Sequence, residues 1–187
     1  RDMRLVDPTV EDNPDSKVNM AVNNIFNKWE ETKDDSLTQV VFLDRSTPSK
    51  GFNLYDDIKS KLIALGVPEE EIKFIHDAKN DKEKVKLFED VNEGRVRILI
   101  GSTEKMGAGT NIQKKLCALH HIDVPWRPSD IEQREGRILR QGNDCKEVEI
   151  FRYATEGTFD SYSWQTIEYK QKFISLSLIH ISEPTRP

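Results

Sequence analysis

The sequence predicts an α/β domain whose mostly parallel central sheet is covered by helices on both faces. Two observations carry this prediction. Five short apolar runs, typical of strands, alternate with five longer segments in which apolar residues recur at helical spacing. Strands joined by helices of ten or more residues form crossover connections, which produce parallel pairing. A chain of 187 residues is long enough for one such domain and too short for two full ones.

The strand candidates are short, continuous apolar runs, a pattern that favours strands buried on both faces. The run at 40–43 ends at Asp44, and the run at 96–100 leads into a loop with two glycines. The full set of predicted strands is 40–43, 72–76, 96–100, 118–124 and 148–153.

The helix candidates combine helical spacing with local start and stop signals. Asp15 or Ser16 is the expected N-cap of the first helix, and Gly66 the left-handed cap that ends the second. Ser129, three residues before Glu132, forms a capping-box pattern that predicts the start of the fourth helix, which Gly142 closes. The predicted helices are 16–32, 54–65, 82–91, 129–141 and 158–175.

The same pass along the chain predicts its domain organisation. Residues 1–15 are interpreted as a linker from an upstream lobe, 16–175 as one lobe, and 176–187 as a non-native or disordered tail. Because the chain opens on Arg1 instead of Met, we expect it to be a fragment of a longer protein.

Composition excludes several classes of protein. The net charge of −5 argues against a generally basic nucleic-acid binder, so any phosphate contact must be local. No apolar run is long enough to cross a bilayer, which predicts no membrane partner. Two cysteines are too few for a disulfide scaffold, so we expect a reducing, cytoplasmic setting.

The strongest chemical signal is the segment 133–142, which reads QREGRILRQG. On a continuous helix, Gln133, Arg137, Arg140 and Gln141 would share one face, with Ile131 and Ile138 opposite. Two arginines at i and i+3 suit a single polyanion, since their planar forks match phosphate oxygens. Such a pair can act as arginine fingers on a transferring γ-phosphoryl group. The alternative is a solvated basic face, or arginines paired with glutamates of the same helix.

Three segments together resemble a known family. Residues 98–113 (ILIGSTEKMGAGTNIQ) look like motif V of superfamily two helicases, closest to the Swi/Snf-like branch. Residues 121–128 (HIDVPWRP), leading into 133–142, resemble that branch's Trp-x-Pro corner and motif VI, and 40–44 resembles motif IV. The nearest resemblance, supported by 74–77 and 156–160, is to the helicase part of large phage, plasmid and conjugative-element DNA methylase-helicase proteins, some described as antirestriction proteins.

The resemblance implies the C-terminal RecA-like lobe of a helicase, a three-layer sandwich. It also implies roles for single residues. Arg137 and Arg140 would be catalytic fingers facing ATP bound on another lobe, with Gln133, Gly109 and Asn111 at the nucleotide. Ser102, Thr103 and Lys105 would contact the nucleic-acid backbone, which positions the protein without reading sequence.

Cofactors and partners follow from the same resemblance and from one missing motif. The sequence has no G-x-x-x-x-G-K-[ST] loop, so ATP and Mg²⁺ would be bound mainly by an N-terminal RecA-like lobe of the same parent protein. The other expected partner is DNA, with RNA left open.

The functional hypothesis is therefore a motor lobe of an ATP-dependent DNA helicase or translocase, inactive without the ATP-binding lobe. The alternative is a non-catalytic nucleic-acid-binding or interaction module that keeps the fold. A zinc site of Cys117, His120, His121 and Cys145 is not expected, because adjacent residues on a strand face opposite ways.

Overall fold

A computed structural model describes residues 2–106, 110–125, 127–136 and 140–182, with side chains given through residue 170. Five strands form one sheet, in which every pair is parallel. The strands are β1 (Thr38–Phe42), β2 (Ile72–Phe74), β3 (Ile98–Gly101), β4 (Leu116–His121) and β5 (Glu149–Arg152). Their order across the sheet is β2-β3-β1-β4-β5, so the strand that comes first in the chain lies in the centre.

In the described residues, six α-helices lie before, between and after these strands. They are α1 (Lys17–Glu31), α2 (Leu54–Leu65), α3 (Asp81–Asn92), α4 (Thr103–Met106), α5 (Pro128–Glu135) and α6 (Phe159–Ser182). Ser16 caps α1 by accepting from the Asn19 amide, and Gly66 ends α2 at φ 115°. Both caps confirm the start and stop signals of the sequence.

The sheet separates two apolar cores. Val41, Ile98 and Ile100 pack with α1 and α2 on one face. Val40 and Leu99, which point the other way because side chains alternate along a strand, pack with α3 on the opposite face. Helices, sheet and helices thus form the three-layer, RecA-like α/β sandwich that the sequence predicted.

The prediction for the fourth helix is wrong in two respects. Ser129 is the second helical residue and not the cap, because Pro128, whose ring fixes φ, occupies the first position and begins the helix. The helix ends at Glu135 instead of Gln141, with Gly136 as its C-cap. Arg140 and Gln141 therefore lie beyond α5 and do not share a helix face with Gln133, as the sequence had suggested.

The N-terminal segment packs on the lobe. Arg4 is 8% exposed and its guanidinium bonds Asp2 and, at 3.1 Å, the Asp57 carboxylate of α2. A third carboxylate, Asp12, lies 3.2 Å from the same guanidinium. The linker role of 1–15 stays a prediction, as does the tail at 176–187, of which 183–187 lies outside the described residues.

Candidate functional site at the carboxyl edge of the sheet

Polar side chains from three neighbouring strands meet at one edge of the sheet. Asp44 follows β1, Ser102 and Thr103 follow β3, and Asp123 follows β4. Because the strands are parallel, their carboxyl ends lie at the same edge, which is where open α/β sheets bind ligands. The strand order β3-β1-β4 brings these ends side by side.

Arg134 of α5 lies at the centre of this group, with a side chain that is 0% exposed. Its Nε donates to Thr103 Oγ1 at 2.7 Å, and its Nη2 donates to Asp44 Oδ2 at 2.6 Å and to Asp123 Oδ1 at 3.1 Å. Its Nη1 donates to the Asp123 carbonyl at 3.2 Å and to His121 Nδ1 at 3.0 Å. We call Arg134, Asp44, Thr103, His121 and Asp123 the Arg134 cluster.

The carboxylates of the cluster also shape the backbone around it. Asp123 Oδ2 accepts from the amides of Asp44 at 2.7 Å and Arg45 at 2.9 Å, which fixes the turn after β1. Asp44 accepts from the Thr103 amide at 2.6 Å and the Thr103 hydroxyl at 2.9 Å. Each carboxylate therefore joins the ends of two strands, and Arg134 compensates the charge of both.

His121 extends the cluster toward the end of α5. Arginine only donates hydrogen bonds, so His121 Nδ1 must accept from Arg134, and Nε2–H donates to Glu135 Oε1 at 3.1 Å. Burial lowers the pKa of His121 and the Arg134 charge adds to this, against the raising effect of Glu135. Burial opposes the ionisation of Glu135, but hydrogen bonds from His121 and Arg152 leave its pKa below the usual value. His121 is therefore a neutral imidazole that lies between the Arg134 cation and the Glu135 carboxylate.

The residues predicted to face ATP are described only in part. Arg137 and Gly109 lie outside the described residues. Gln133 is half-buried on α5, and Asn111 is exposed. Arg140 is exposed, and its Nη1 donates to the Thr110 carbonyl at 3.1 Å. The end of the 133–142 segment thus lies against the end of the loop after β3, although the two are about thirty residues apart in sequence.

A second contact supports this junction. Gln113 Nε2 donates to the Gln141 carbonyl at 3.2 Å. Within the described residues, Arg140 forms no ion pair with a carboxylate, and the described contacts use one of its five N–H donors. Glu135, one of the glutamates considered as an internal partner for the arginines, pairs instead with Arg152 at 3.0 Å. An exposed guanidinium with donors to spare is chemically suited to a phosphate group.

The residues predicted to contact nucleic acid differ in accessibility. Ser102 and Thr103 are 7% and 8% exposed, whereas Lys105 is exposed. Ser102 Oγ accepts from the Lys105 amide at 3.2 Å, and Thr103 bonds within the Arg134 cluster. Lys105 lies close enough to His76 to reinforce the lowering of the His76 pKa that burial causes. Lys105 is therefore the exposed cation of the segment that directly follows β3.

Sequence reasoning missed Arg134, Asp44 and Asp123 as parts of the site. A signal existed, because Ile131 and Arg134 are spaced i and i+3 and so share the buried face of α5. Asp44 and Asp123 each follow a predicted strand, which places them at the same edge. Neither observation predicts that Arg134 binds Asp44 and Asp123.

His120 and His121 contact different elements, as expected for neighbours on a strand. His120 is completely buried, with Nε2 2.8 Å from Gln39 Oε1 and Nδ1 2.9 Å from the Tyr153 hydroxyl. Burial lowers the pKa of His120 to about 3. Among the described residues, no group of three or more His, Cys, Asp or Glu side chains is arranged to hold a metal ion. None of the helices searched, over the same part of the chain, has the length and apolar character required to cross a membrane.

Residues 25–142 match the model of the helicase conserved C-terminal domain. The defense against restriction protein B of Escherichia phage P1 is 36% identical over 90 residues, which are 48% of this chain and 4% of that protein. The uncharacterized ATP-dependent helicase YqhH of Bacillus subtilis (strain 168) is 37% identical over 76 residues, 40% of this chain and 13% of that protein. The chain thus spans a small part of the length of these relatives.

Solved structures share the fold. The C-terminal part of the Fun30 ATPase domain superposes with a TM-score of 0.63 at 19% identity, covering 86% of this chain and 49% of that one. The DUF1998 helicase MrfA bound to DNA gives a TM-score of 0.57 at 18% identity, covering 83% of this chain and 20% of that one. At such identities the likeness concerns the fold alone.

Proposed function

We propose that this chain, which belongs to the family of helicase conserved C-terminal domains, is the C-terminal motor lobe of an ATP-dependent DNA helicase or translocase. The observation that carries the proposal is the junction between the end of the 133–142 segment and residues 110–113, which lead into β4. Arg140 bonds the carbonyl of Thr110, and Gln113 bonds the carbonyl of Gln141. The segment that would carry the fingers thereby packs against residues beside Asn111, the other proposed nucleotide contact, in the stretch that continues from the proposed nucleic-acid contacts at 102–105.

In this proposal Arg137 and Arg140 are the arginine fingers. They stabilise the charge that develops on the γ-phosphoryl group when a second lobe closes on this one. Gln133, Gly109 and Asn111 line the same side of the inter-lobe cleft. Exposure of Arg140, with N–H donors beyond the one bound to Thr110, supports its assignment.

ATP and Mg²⁺ are held mainly by an N-terminal RecA-like lobe of the parent protein. ATP would supply the γ-phosphoryl group that is hydrolysed after the two lobes have closed on it. The present sequence lacks a phosphate-binding loop, so we expect it to be inactive in hydrolysis without that partner. Its setting in this proposal is the cytoplasm of a bacterial or phage-infected cell.

Nucleic acid is contacted by Ser102, Thr103 and Lys105. Lys105 supplies the exposed cation, and the loop after β3 places it at the edge of the sheet. Support for DNA as the ligand comes from MrfA, a structural neighbour solved bound to DNA. RNA is the competing ligand in a binding test.

The test is ATP hydrolysis by the longer protein that contains both lobes, with and without double-stranded DNA. Arg137→Ala should cut ATP turnover by on the order of 10³-fold or more while DNA affinity, measured by fluorescence anisotropy, stays within about twofold. The matched control is Arg95→Ala, which removes an exposed arginine that pairs with Asp90 away from the site. Unchanged turnover in Arg137→Ala would refute the finger assignment, and no turnover in the wild type would favour the non-catalytic module.

A further inference from the structure

We propose that Arg134 is a positioning residue that couples nucleic-acid binding at the end of β3 to the arginine fingers after α5. The inference rests on the function proposed above. Arg134 lies three residues before Arg137, and its Nε donates to Thr103, two residues before Lys105. One buried side chain thus connects the segment that would touch DNA to the helix that precedes the fingers in the sequence.

The guanidinium of Arg134 is saturated. Arginine has five N–H donors, and the five described bonds of Arg134 go to four residues: Thr103, His121, Asp123 and Asp44. Planarity of the guanidinium gives these bonds fixed relative directions, so the strand ends and α5 cannot shift independently without breaking one. A lysine offers three donors from a single point and cannot reproduce the arrangement.

Thr103 is the link on the nucleic-acid side. Its amide and hydroxyl both donate to Asp44, and the same hydroxyl oxygen accepts from Arg134. A displacement of the loop after β3 therefore changes the position of an atom that Arg134 binds directly. Since Thr103 is 8% exposed, this displacement begins at its exposed neighbour Lys105 and is transmitted through the start of α4.

His121 and Glu135 form the link on the finger side. Arg134 donates to His121 Nδ1, and His121 Nε2–H donates to Glu135, the last residue of α5. Glu135 also accepts from Arg152 of β5 at 3.0 Å. The end of α5, one residue before Gly136 and two before Arg137, is thus held by bonds that originate at the same guanidinium.

The experiment measures the ratio of DNA-stimulated to basal ATP turnover in the protein that contains both lobes. Arg134→Lys should lower this ratio by about tenfold, a common size for coupling between sites, with kcat reduced more than the KM for ATP is raised. The matched control is Arg4→Lys, since Arg4 is also a buried arginine bound to carboxylates, in its case Asp2, Asp12 and Asp57. A purely structural loss lowers basal and stimulated turnover together, so Arg4→Lys should leave the ratio unchanged.

A second variant and a second measurement cover the case in which Arg134→Lys does not fold. Asp44→Asn keeps the size of the side chain but sets an amide against Arg134 Nη2, and it should lower the ratio as well. The second measurement is ¹⁵N NMR of the 187-residue chain titrated with a short DNA duplex. At the DNA concentration where the amide chemical shifts near Lys105 stop changing, the chemical shifts of the His121 ring nitrogens should also have changed.

The outcomes separate the two proposals. A wild-type protein without DNA-stimulated turnover, or an Arg137→Ala variant with full turnover, would sink the proposed function itself. If the wild type is stimulated and Arg137→Ala is inactive, but folded Arg134→Lys or Asp44→Asn keeps the full ratio, only the role of Arg134 is overturned. Unmoved His121 signals on saturation with DNA would overturn it too.

Discussion

Acid sensitivity should arise from one fully buried histidine that lies apart from the Arg134 cluster. His120 in β4 is 0% exposed, and both of its ring nitrogens have partners. Gln39 already donates its amide N–H to the Ile25 carbonyl, so its oxygen accepts from His120 Nε2–H. Nδ1 then accepts from the Tyr153 hydroxyl, which in turn accepts from Asn24 Nδ2 at 3.2 Å. These hydrogen bonds satisfy both ring nitrogens of a neutral His120 and offer no acceptor for a second ring proton.

The size of the effect follows from the pKa of His120 in the two states. Burial lowers the pKa to about 3 in the folded protein, whereas the unfolded chain has a value of about 6.5. The unfolded state therefore binds more protons between these values, and the folded state loses stability as the pH falls below about 6.5. His120 alone should reduce the free energy of unfolding by roughly 2 kcal/mol at pH 5 relative to pH 8, with a limiting slope of about 1.4 kcal/mol per pH unit.

Urea unfolding at pH 8, 6.5, 5.5 and 5 measures this contribution. The control is His120→Gln, whose amide oxygen and nitrogen can serve the same neighbours without titrating. It will be less stable at pH 8, but its unfolding free energy should fall less steeply toward pH 5. Equal slopes for the two proteins, or an NMR titration of His120 with a midpoint near 6.5 in the folded state, would refute the reasoning.

Two further predictions concern α2 and the loop after β3. Gly66→Ala should lower the free energy of unfolding by about 1 kcal/mol, because Gly66 adopts φ 115°, with open space around it. Gly66→Asn should lower it less, since Asn tolerates this conformation better, and equal melting temperatures for the two variants would contradict the argument. Lys105→Ala should weaken DNA binding and reduce the slope of log Kd against log salt by about 1, whereas Lys86→Ala on α3 should leave the slope unchanged; fluorescence anisotropy over a salt series distinguishes the two.

The fold was predictable because its signals are local. In α2, Leu54, Ile58, Leu62 and Leu65 recur at helical spacing and Gly66 ends the pattern. The first three are buried and Gly66 caps the helix as expected, whereas Leu65 is 43% exposed. The five apolar runs become five parallel strands within three residues of their predicted limits. Periodicity and caps depend on neighbours a few residues away, so a single sequence is sufficient to read them.

The Arg134 cluster was not predictable in the same way. Arg134 is one of several charged residues in its segment, and although its spacing from Ile131 places it on the buried face of α5, nothing local identifies its partners. Its partners Asp44 and Thr103 are 90 and 31 positions away in the chain. Glu135, the last residue of α5, likewise finds its partners His121 and Arg152 on two strands, contacts that exist only after the sheet has formed.

The central position of β1 has a consequence for how the chain is made. Of the five strands of this sheet it is the first to leave the ribosome, yet its two pairing partners, β3 and β4, begin 60 and 78 residues after it starts. Until they are synthesised, both edges of a Thr-Gln-Val-Val-Phe segment expose unsatisfied backbone groups and apolar side chains, the composition that promotes aggregation. Nascent chains that stop before residue 121 should therefore depend on chaperones far more than the completed lobe does.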